Sequence, residues 1–166
     1  MISKKIASVI TSVMVFCCIA GVSLTNVKAD DSAPKSVDGS YLTSADSSTG
    51  YTPKNNERGK HLMDGQCSIS KTGTKRIYAY GSTTANHTVD AVAVIVYVDR
   101  YHESDGKWHQ IDAFSKKVEN DYYSAISKSI QVDRGYYYRV HADHFVRMGE
   151  DPIEETFSLT NGILVP

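Results

Sequence analysis

The segment 91–102 (AVAVIVYVDRYH) is the part of this sequence that most constrains the fold. Val92, Val94, Val96 and Val98 recur at every second position, which is the period of a β-strand and not of a helix. β-branched side chains have restricted χ1 rotamers and pack well on a pleated, half-buried surface. We therefore predict a strand here, with its valine face turned toward the protein core.

A hairpin is predicted next, because the turn sequence ESDG follows the valine strand and residues 107–117 can return beside it. The simplest closure pairs Tyr101 with Trp108 and Val98 with Ile111. The face opposite the valines then carries mostly aromatic or large apolar side chains: Ile95, Tyr97, Tyr101, Trp108 and Phe114. Two alternatives stay open: the spacer or a neighbouring sheet covers this face, or a one-residue slip swaps the two faces.

The rest of the sequence repeats this pattern of short alternating segments between turn residues. The other predicted strand segments are 60–71, 75–82, 122–133, 136–146, 154–159 and 163–165, with a loop over 83–90. No segment keeps a long apolar 3.6-residue period. We predict an all-β fold, an immunoglobulin-like antiparallel β-sandwich of about seven strands.

The N-terminus has the order of a secretion signal: two early lysines, an apolar stretch over 6–24, and a small residue before a polar tail. We predict a signal peptide over 1–29, cleavage between Ala29 and Asp30, and a secreted, extracellular protein. Membrane contact is then limited to the signal peptide before cleavage. An uncleaved anchor is the alternative, since the apolar stretch approaches the length that spans a bilayer.

Residues 30–50 are rich in serine, aspartate, threonine and glycine, and contain few large apolar groups. Such a composition does not bury enough surface to offset the entropy of ordering, so a flexible polar spacer is predicted. A short strand at Tyr41 and Leu42 that docks on the domain is the alternative. The remaining residues, 51–166, are predicted to form one domain with one core.

Charge and cysteine content exclude some classes of protein. Without residues 1–29, the chain has 15 basic and 19 acidic residues, a net charge of −4. This balance argues against nucleic-acid or anionic-membrane partners, which need clustered basic charge. Cys67 is then the single cysteine, so no internal disulfide can form.

A turn near the C-terminal third carries a local resemblance. In residues 132–142 (VDRGYYYRVHA), an apolar residue precedes a tight turn at Gly135, and Tyr138 precedes alternating Val140 and Ala142. This pattern resembles the tyrosine corner of fibronectin type III and other immunoglobulin-like sandwiches. The resemblance implies that the Tyr138 hydroxyl bonds back to the turn backbone while its ring fills the edge of the core. The proline usual in that turn is missing.

A wider resemblance covers roughly residues 58–165. The segments 79–86 (AYGSTTAN) and 134–140 (RGYYYRV) carry it. The chain is similar to an uncharacterised family of small secreted proteins from Gram-positive, clostridial-type bacteria. That resemblance implies an extracellular location and no assigned activity or catalytic residue.

Sequence motifs for catalysis or for a cofactor are not found. The sequence contains no nucleophile elbow, no metalloprotease His-Glu pair and no glycine-rich phosphate loop. The pair His141 and His144 points to opposite faces of a strand, whereas His102 and His109 can meet diagonally on the hairpin. We predict surface histidines, no metal, no cofactor, and a buried, inert Cys67.

The function predicted from the sequence is a non-enzymatic extracellular binding module for a cell-surface glycan or protein. Flat aromatic rings with polar edges suit stacking on sugars or anchoring a protein partner. The predicted contact residues are Tyr97, Tyr101, Trp108 and Phe114. A self-associating structural or surface protein is one alternative, and a hydrolase with an unrecognised site is another. The sequence does not fix the oligomeric state.

Overall fold

The computed structural model describes residues 34–53 and 59–166, apart from the side chain of Met63. The predicted signal peptide and its cleavage site at Ala29 and Asp30 lie outside these residues. The described residues form nine strands and no helix, which confirms the all-β prediction, and none of them forms a helix able to cross a membrane. The strands are β1 Ser36–Val37, β2 Ser40–Thr43, β3 Ser47–Tyr51, β4 Leu62–Gly73, β5 Arg76–His102, β6 Lys107–Gln131, β7 Tyr136–Arg147, β8 Glu154–Leu159 and β9 Gly162–Val165.

The hairpin of β5 and β6 organises the fold. β5 has 27 residues and β6 has 25, so each of these strands joins two segments that the sequence predicts as separate strands. The loop predicted over 83–90 is instead part of β5, with a register irregularity between Thr84 and Val89. One edge of β5 pairs with β6, while its other edge pairs first with β4 and then with β7.

The sheet is mixed in direction and contains more strands than predicted. Its order is β1-β2-β9-β7-β5-β4-β3, with β6 beside β5 and β8 beside β7. β2 and β9 pair in parallel, whereas the other pairs are antiparallel. β8 and β9, adjacent in sequence, both pair with β7 and not with each other.

The sheet curls, so that the two halves of β5 face each other across one core. A Cβ built on Gly81 would lie 2.5 Å from Cγ2 of Val96, although these residues are on the same strand. A larger residue than glycine would therefore separate the two halves. Buried apolar side chains from both halves of β5 and from β4 and β7 fill the space between them: Cys67, Ile69, Ile77, Ala79, Val94, Val96, Val98, Val140 and Ala142.

β6 follows the same curl and lines one side of the core. Nζ of Lys128 lies 2.7 Å from Oδ2 of Asp112, and the Ser124 hydroxyl donates to the Lys116 carbonyl (3.1 Å). These contacts join the two halves of one strand. Phe114, Ile126 and Ile130 pack against the core from β6.

The strands β1, β2 and β3 lie in the segment for which the sequence predicts a flexible polar spacer over 30–50. β1 and β2 form a hairpin around Asp38 and Gly39, whose φ values of 47° and 79° suit a two-residue turn. β2 pairs with β9, which matches the alternative of a strand at Tyr41 and Leu42. β3 pairs with β4 over five residues. The domain therefore includes these residues, because an existing sheet supplies the hydrogen bonds that order a polar segment.

The turn before β7 has the geometry expected of a tyrosine corner. The Tyr138 hydroxyl donates to the Asp133 carbonyl at 2.9 Å, and the tyrosine ring is buried. Gly135 has a φ of 83°, and its amide donates to the Val165 carbonyl at 2.7 Å. A residue with a side chain rarely adopts this φ, which explains the glycine.

Candidate functional site

The outward face of the sheet formed by β6, β5, β7 and β8 contains the residues to which the sequence directs attention. Directly paired residues have their side chains on the same face. Ile95 pairs with Asp143 and Tyr97 pairs with His141. These side chains therefore share the outward face, opposite the buried Val94 and Val96.

The N-terminal hairpin β1–β2 covers the part of this face near the turn between β5 and β6. Tyr101 is only 1% exposed, and Nζ of Lys35 donates to its hydroxyl at 2.7 Å. Nε1 of Trp108 donates to the Val37 carbonyl at 3.1 Å. Tyr101 and Trp108 pair as predicted, but they hold the N-terminal hairpin. Tyr101 is therefore closed to a ligand in this structure.

Phe114 lies on the opposite face from the one predicted. Tyr101 pairs with Trp108, but Val98 pairs with Asp112, so β6 contains one extra residue, Ile111, between these pairs. Such a bulge moves every later side chain to the other face. Phe114 consequently pairs with Val96 and packs against the core. Tyr97, Tyr101, Trp108 and Phe114 therefore do not form one exposed surface.

Tyr97 remains on the open part of the face. Its ring is stacked on His141, with centroids 4.6 Å apart and an interplanar angle of 12°. Partial burial, together with the nearby carboxylate of Asp143, raises the pKa of Tyr97. The phenol is therefore neutral at physiological pH and presents a half-buried aromatic ring.

The open part of the face carries apolar side chains on three neighbouring strands and the turn before β8, with the carboxylates of Asp143 and Glu155 among them. We name these apolar side chains the outer patch, which consists of Ile95, Tyr97, Phe145, Ile153 and Phe157. Phe157 is 56% exposed and Ile153 is 63% exposed. A depression of about 200 Å³ opens beside Phe145 and Ile153, with Ala91 and Ala93 also in its lining. Lys117 and Arg147 supply charge at its border.

The sequence reasoning missed three members of this patch: Phe145, Ile153 and Phe157. A signal for the first was present, because β7 alternates between buried Val140, Ala142 and Val146 and the outward residues between them. Pairing β7 with the valine strand would have placed Phe145 beside Ala93. No comparable pattern marks Ile153, which precedes its strand.

A buried ion pair lies in the part of the outward face that the β1–β2 hairpin covers. Nε of Arg139 donates to Oδ2 of Asp99 at 2.9 Å, and Nδ1 of His141 lies 3.2 Å from the same oxygen. Burial by itself would raise the pKa of Asp99, but hydrogen bonds from His141 and Arg139 outweigh it and lower that pKa. The Arg139 guanidinium also lies 4.5 Å from the ring centroid of Trp108. Arg139 also donates hydrogen bonds to Asp38 and Ser40, so this network attaches the β1–β2 hairpin to the sheet.

His144 is the most deeply buried histidine among the described residues, and its hydrogen bonds fix its tautomer. The Thr83 hydroxyl donates its proton to the Ala93 carbonyl (2.8 Å), so it accepts from Nδ1–H of His144 at 2.9 Å. Nε2 then accepts from the Ser158 hydroxyl at 2.8 Å. Burial lowers the pKa of His144 to about 4. His144 and Ser158 are both buried, so this Ser-His pair is closed to solvent in this structure.

Two other histidine pairs lie nearer the surface. His102 and His109 meet on the hairpin with ring centroids 4.3 Å apart, as the diagonal pairing predicts. Nδ1 of His61 lies 3.2 Å from Nε2 of His87, and its Nε2 lies 2.8 Å from Oδ2 of Asp151. In residues 34–53 and 59–166, no group of three or more metal-binding side chains converges. Two nitrogen ligands are too few for a closed zinc site.

Comparisons of the chain with protein-family models, with curated proteins and with solved structures find no match.

Proposed function

We propose that this protein is a secreted, non-enzymatic extracellular binding module, and that the outer patch contacts a protein partner. One observation carries the proposal: Ile153 and Phe157 are more than half exposed, with Ile153 beside Phe145 in the turn before β8 and Phe157 on the paired strand β8. Contiguous exposed apolar surface bordered by polar residues is typical of interaction sites. A sheet positions such side chains with little loss of entropy on binding.

The chemistry of the outer patch favours a protein over a glycan. Sugar binding uses free aromatic faces, but one face of the Tyr97 ring is already stacked on His141. The depression beside Ile153 is mostly apolar, and Lys117 and Arg147 border it. An apolar anchor side chain from a partner fits this arrangement, which has the apolar centre and polar rim of protein interfaces.

Two groups that could serve catalysis are buried, and their burial favours a binding function over an enzymatic one. Burial raises the pKa of Cys67 to about 11, so its thiol is protonated and unreactive at neutral pH. His144 is sealed within the core by Thr83 and Ser158. Neither group can reach a substrate without opening the domain.

The proposal includes an immunoglobulin-like architecture and export of the protein from the cell. The corner hydrogen bond from Tyr138 to Asp133 supports kinship with immunoglobulin-like sandwiches. The order of charges and apolar residues in 1–29 supports export. A partner at a Gram-positive cell surface is part of the proposal, and it rests on what the resemblance carried by segments 79–86 and 134–140 implies.

The test is a binding comparison with the full chain and Gram-positive cell-surface proteins, measured as retention on the immobilised protein. We expect Ile153→Ser with Phe157→Ser to weaken retention of a discrete partner at least about tenfold, which is the scale of an interface hot spot. The matched control, Tyr41→Ser with Tyr122→Ser, removes side chains of similar exposure (51% and 56%) elsewhere and should retain the partner.

Three outcomes would overturn the proposal in different ways. Equal retention by both double variants would exclude the outer patch as the contact. Binding only to immobilised glycans, lost in the same patch variant, would assign the patch to sugars. A concentration-dependent dimer in light scattering, lost in the patch variant, would favour the self-associating alternative.

A further inference from the structure

The outward face of the other half of the sheet is built almost entirely from hydroxyl groups. It lies on β3, β4, the first half of β5 and the second half of β6. We name it the hydroxyl face. Two of its rows across the four strands are Ser47, Ser70, Tyr78, Ser129 and Thr49, Ser68, Tyr80, Ser127. A third row is Tyr51, Gln66, Ser82, Ala125, in which Ser82 is buried and the other three residues are at least partly exposed.

These rows contain no charged side chain, although 22% of the whole sequence is charged. Charges appear in the adjoining rows, at Asp64, which shares its row with Thr84 and Tyr123, and at Arg76 on the other side. The buried residues Ile69, Ile77 and Ala79 alternate with the row residues, so the rows face away from the core. A solvated sheet face with no other role usually carries lysine and glutamate, and this one does not.

Tyrosine rings stand among the small hydroxyl side chains. Tyr51 is 60% exposed, and Tyr78 and Tyr123 are 39% and 40% exposed. The hydroxyls of Tyr80 and Tyr123 are 2.8 Å apart, which ties their two side chains together. Tyr78 and Tyr80 are two residues apart on one strand and therefore about 6.6 Å apart along it. Small neighbours such as Ser68 and Ser70 leave room beside these rings.

We infer that the hydroxyl face binds a neutral polysaccharide. Tyrosine rings stack on the apolar faces of sugars, and serine and threonine hydroxyls exchange hydrogen bonds with sugar hydroxyls. The lack of charge means that binding desolvates no ion. A nucleic acid would need cations, and serine is depleted at protein interfaces. The inference goes beyond the proposed function, since this face is separate from the outer patch.

The experiment is affinity electrophoresis of the full chain in gels that contain a soluble neutral β-glucan, mannan or galactan, with polyglucuronate as the anionic comparison. We expect at least one neutral polymer to retard the protein, with little effect of salt because no ion pairs form. Tyr51→Ala with Tyr78→Ala should weaken the retardation at least about tenfold. Tyr78→Phe keeps the ring and should retain most of the binding.

The patch variant Ile153→Ser with Phe157→Ser is the control. It changes the outer patch and not the hydroxyl face, so it should migrate like the wild type. Failure of this inference is therefore distinguishable from failure of the proposed function. The circular dichroism spectrum and the thermal midpoint of each variant check that it is folded. Retardation by none of the neutral polymers overturns the inference. So does equal retardation of wild type and the folded Tyr51→Ala with Tyr78→Ala variant, or retardation by polyglucuronate alone.

Discussion

Arg139 and Asp99 form a buried ion pair beneath the N-terminal hairpin, with 2.9 Å between Nε and Oδ2. Nη1 of Arg139 also donates to the Asp38 carbonyl (3.1 Å) and to the Ser40 hydroxyl (3.3 Å). One guanidinium thus joins β7, β5 and the β1–β2 hairpin. This arrangement divides the outward face into a covered part and the open outer patch.

Removing Arg139 should therefore destabilise the domain strongly. Arg139→Ala leaves the Asp99 carboxylate buried with His141 as its remaining side-chain partner, and breaking a buried ion pair typically costs about 3–5 kcal/mol of unfolding free energy. Urea unfolding followed by circular dichroism measures it. The exposed pair Lys117–Glu119 is the control, and Lys117→Ala should leave the unfolding free energy nearly unchanged. A loss below about 1 kcal/mol for Arg139→Ala would contradict the role given to this ion pair.

Gly50 tests whether β3 is part of the domain. A Cβ on Gly50 would overlap the carbonyl oxygen of Leu159, a backbone atom that cannot easily move. We expect Gly50→Ala to lower the unfolding free energy by about 1–3 kcal/mol, the usual cost of overpacking. Gly73→Ala is matched, since its nearest contact is 3.8 Å away, and should be nearly neutral. If both variants unfold at the same urea concentration, residues 47–51 do not pack on β8.

His144 should make stability depend on pH between about 4 and 6.5. Its pKa in the folded protein is about 4, below the ordinary value of 6.5, so the unfolded chain binds the proton more readily. The contribution is complete above pH 6.5 and is lost as the pH falls toward 4, a change of roughly 3 kcal/mol. Urea unfolding at a series of pH values measures this slope.

The matched variants separate His144 from other histidines. His144→Gln should flatten the slope between pH 4 and 6.5, because glutamine does not titrate. His109→Ala removes a histidine whose side chain is 46% exposed and should leave the slope nearly unchanged. A slope that persists in His144→Gln would assign the pH dependence to another group.

The tyrosine corner predicts a smaller effect. Tyr138→Phe keeps the buried ring and removes the hydrogen bond from the hydroxyl to the Asp133 carbonyl. We expect a loss of about 1 kcal/mol, the typical net value of one such bond. Tyr136→Phe, at an exposed tyrosine of the same strand, should lose much less. Equal losses of unfolding free energy in the two variants would show that the corner hydrogen bond does not stabilise the domain.

The hairpin of β5 and β6 shows which features the sequence predicts and which it does not. The period-two valines fixed the buried face of β5, and the turn placed Tyr101 opposite Trp108. The bulge at Ile111 then moved Phe114 to the core side. The bulge is not readable from this sequence because Trp108 faces outward before it and Phe114 faces the core after it, so the large side chains show no break in the alternation.

The N-terminal segment shows a second limit. Its composition correctly indicates little apolar surface, but composition does not reveal that Ser40 donates to the Thr160 carbonyl (2.7 Å) 120 residues away. A polar segment is ordered when an existing sheet edge accepts it. The N-terminal hairpin covers the aromatic side chains near Trp108. Coverage of this face by the spacer is one of the alternatives that the sequence leaves open.

The most direct test of the proposed binding surface is site-specific photo-crosslinking at the Gram-positive cell surface. A benzoylphenylalanine replaces Phe157 in one protein and Tyr41 in the other, since these side chains are 56% and 51% exposed. We predict a discrete crosslinked protein from position 157 only. Excess wild type should abolish that product, whereas excess Ile153→Ser with Phe157→Ser should leave it. The same products from both positions, or equal competition by the patch variant, would contradict the assignment of the outer patch as the partner contact.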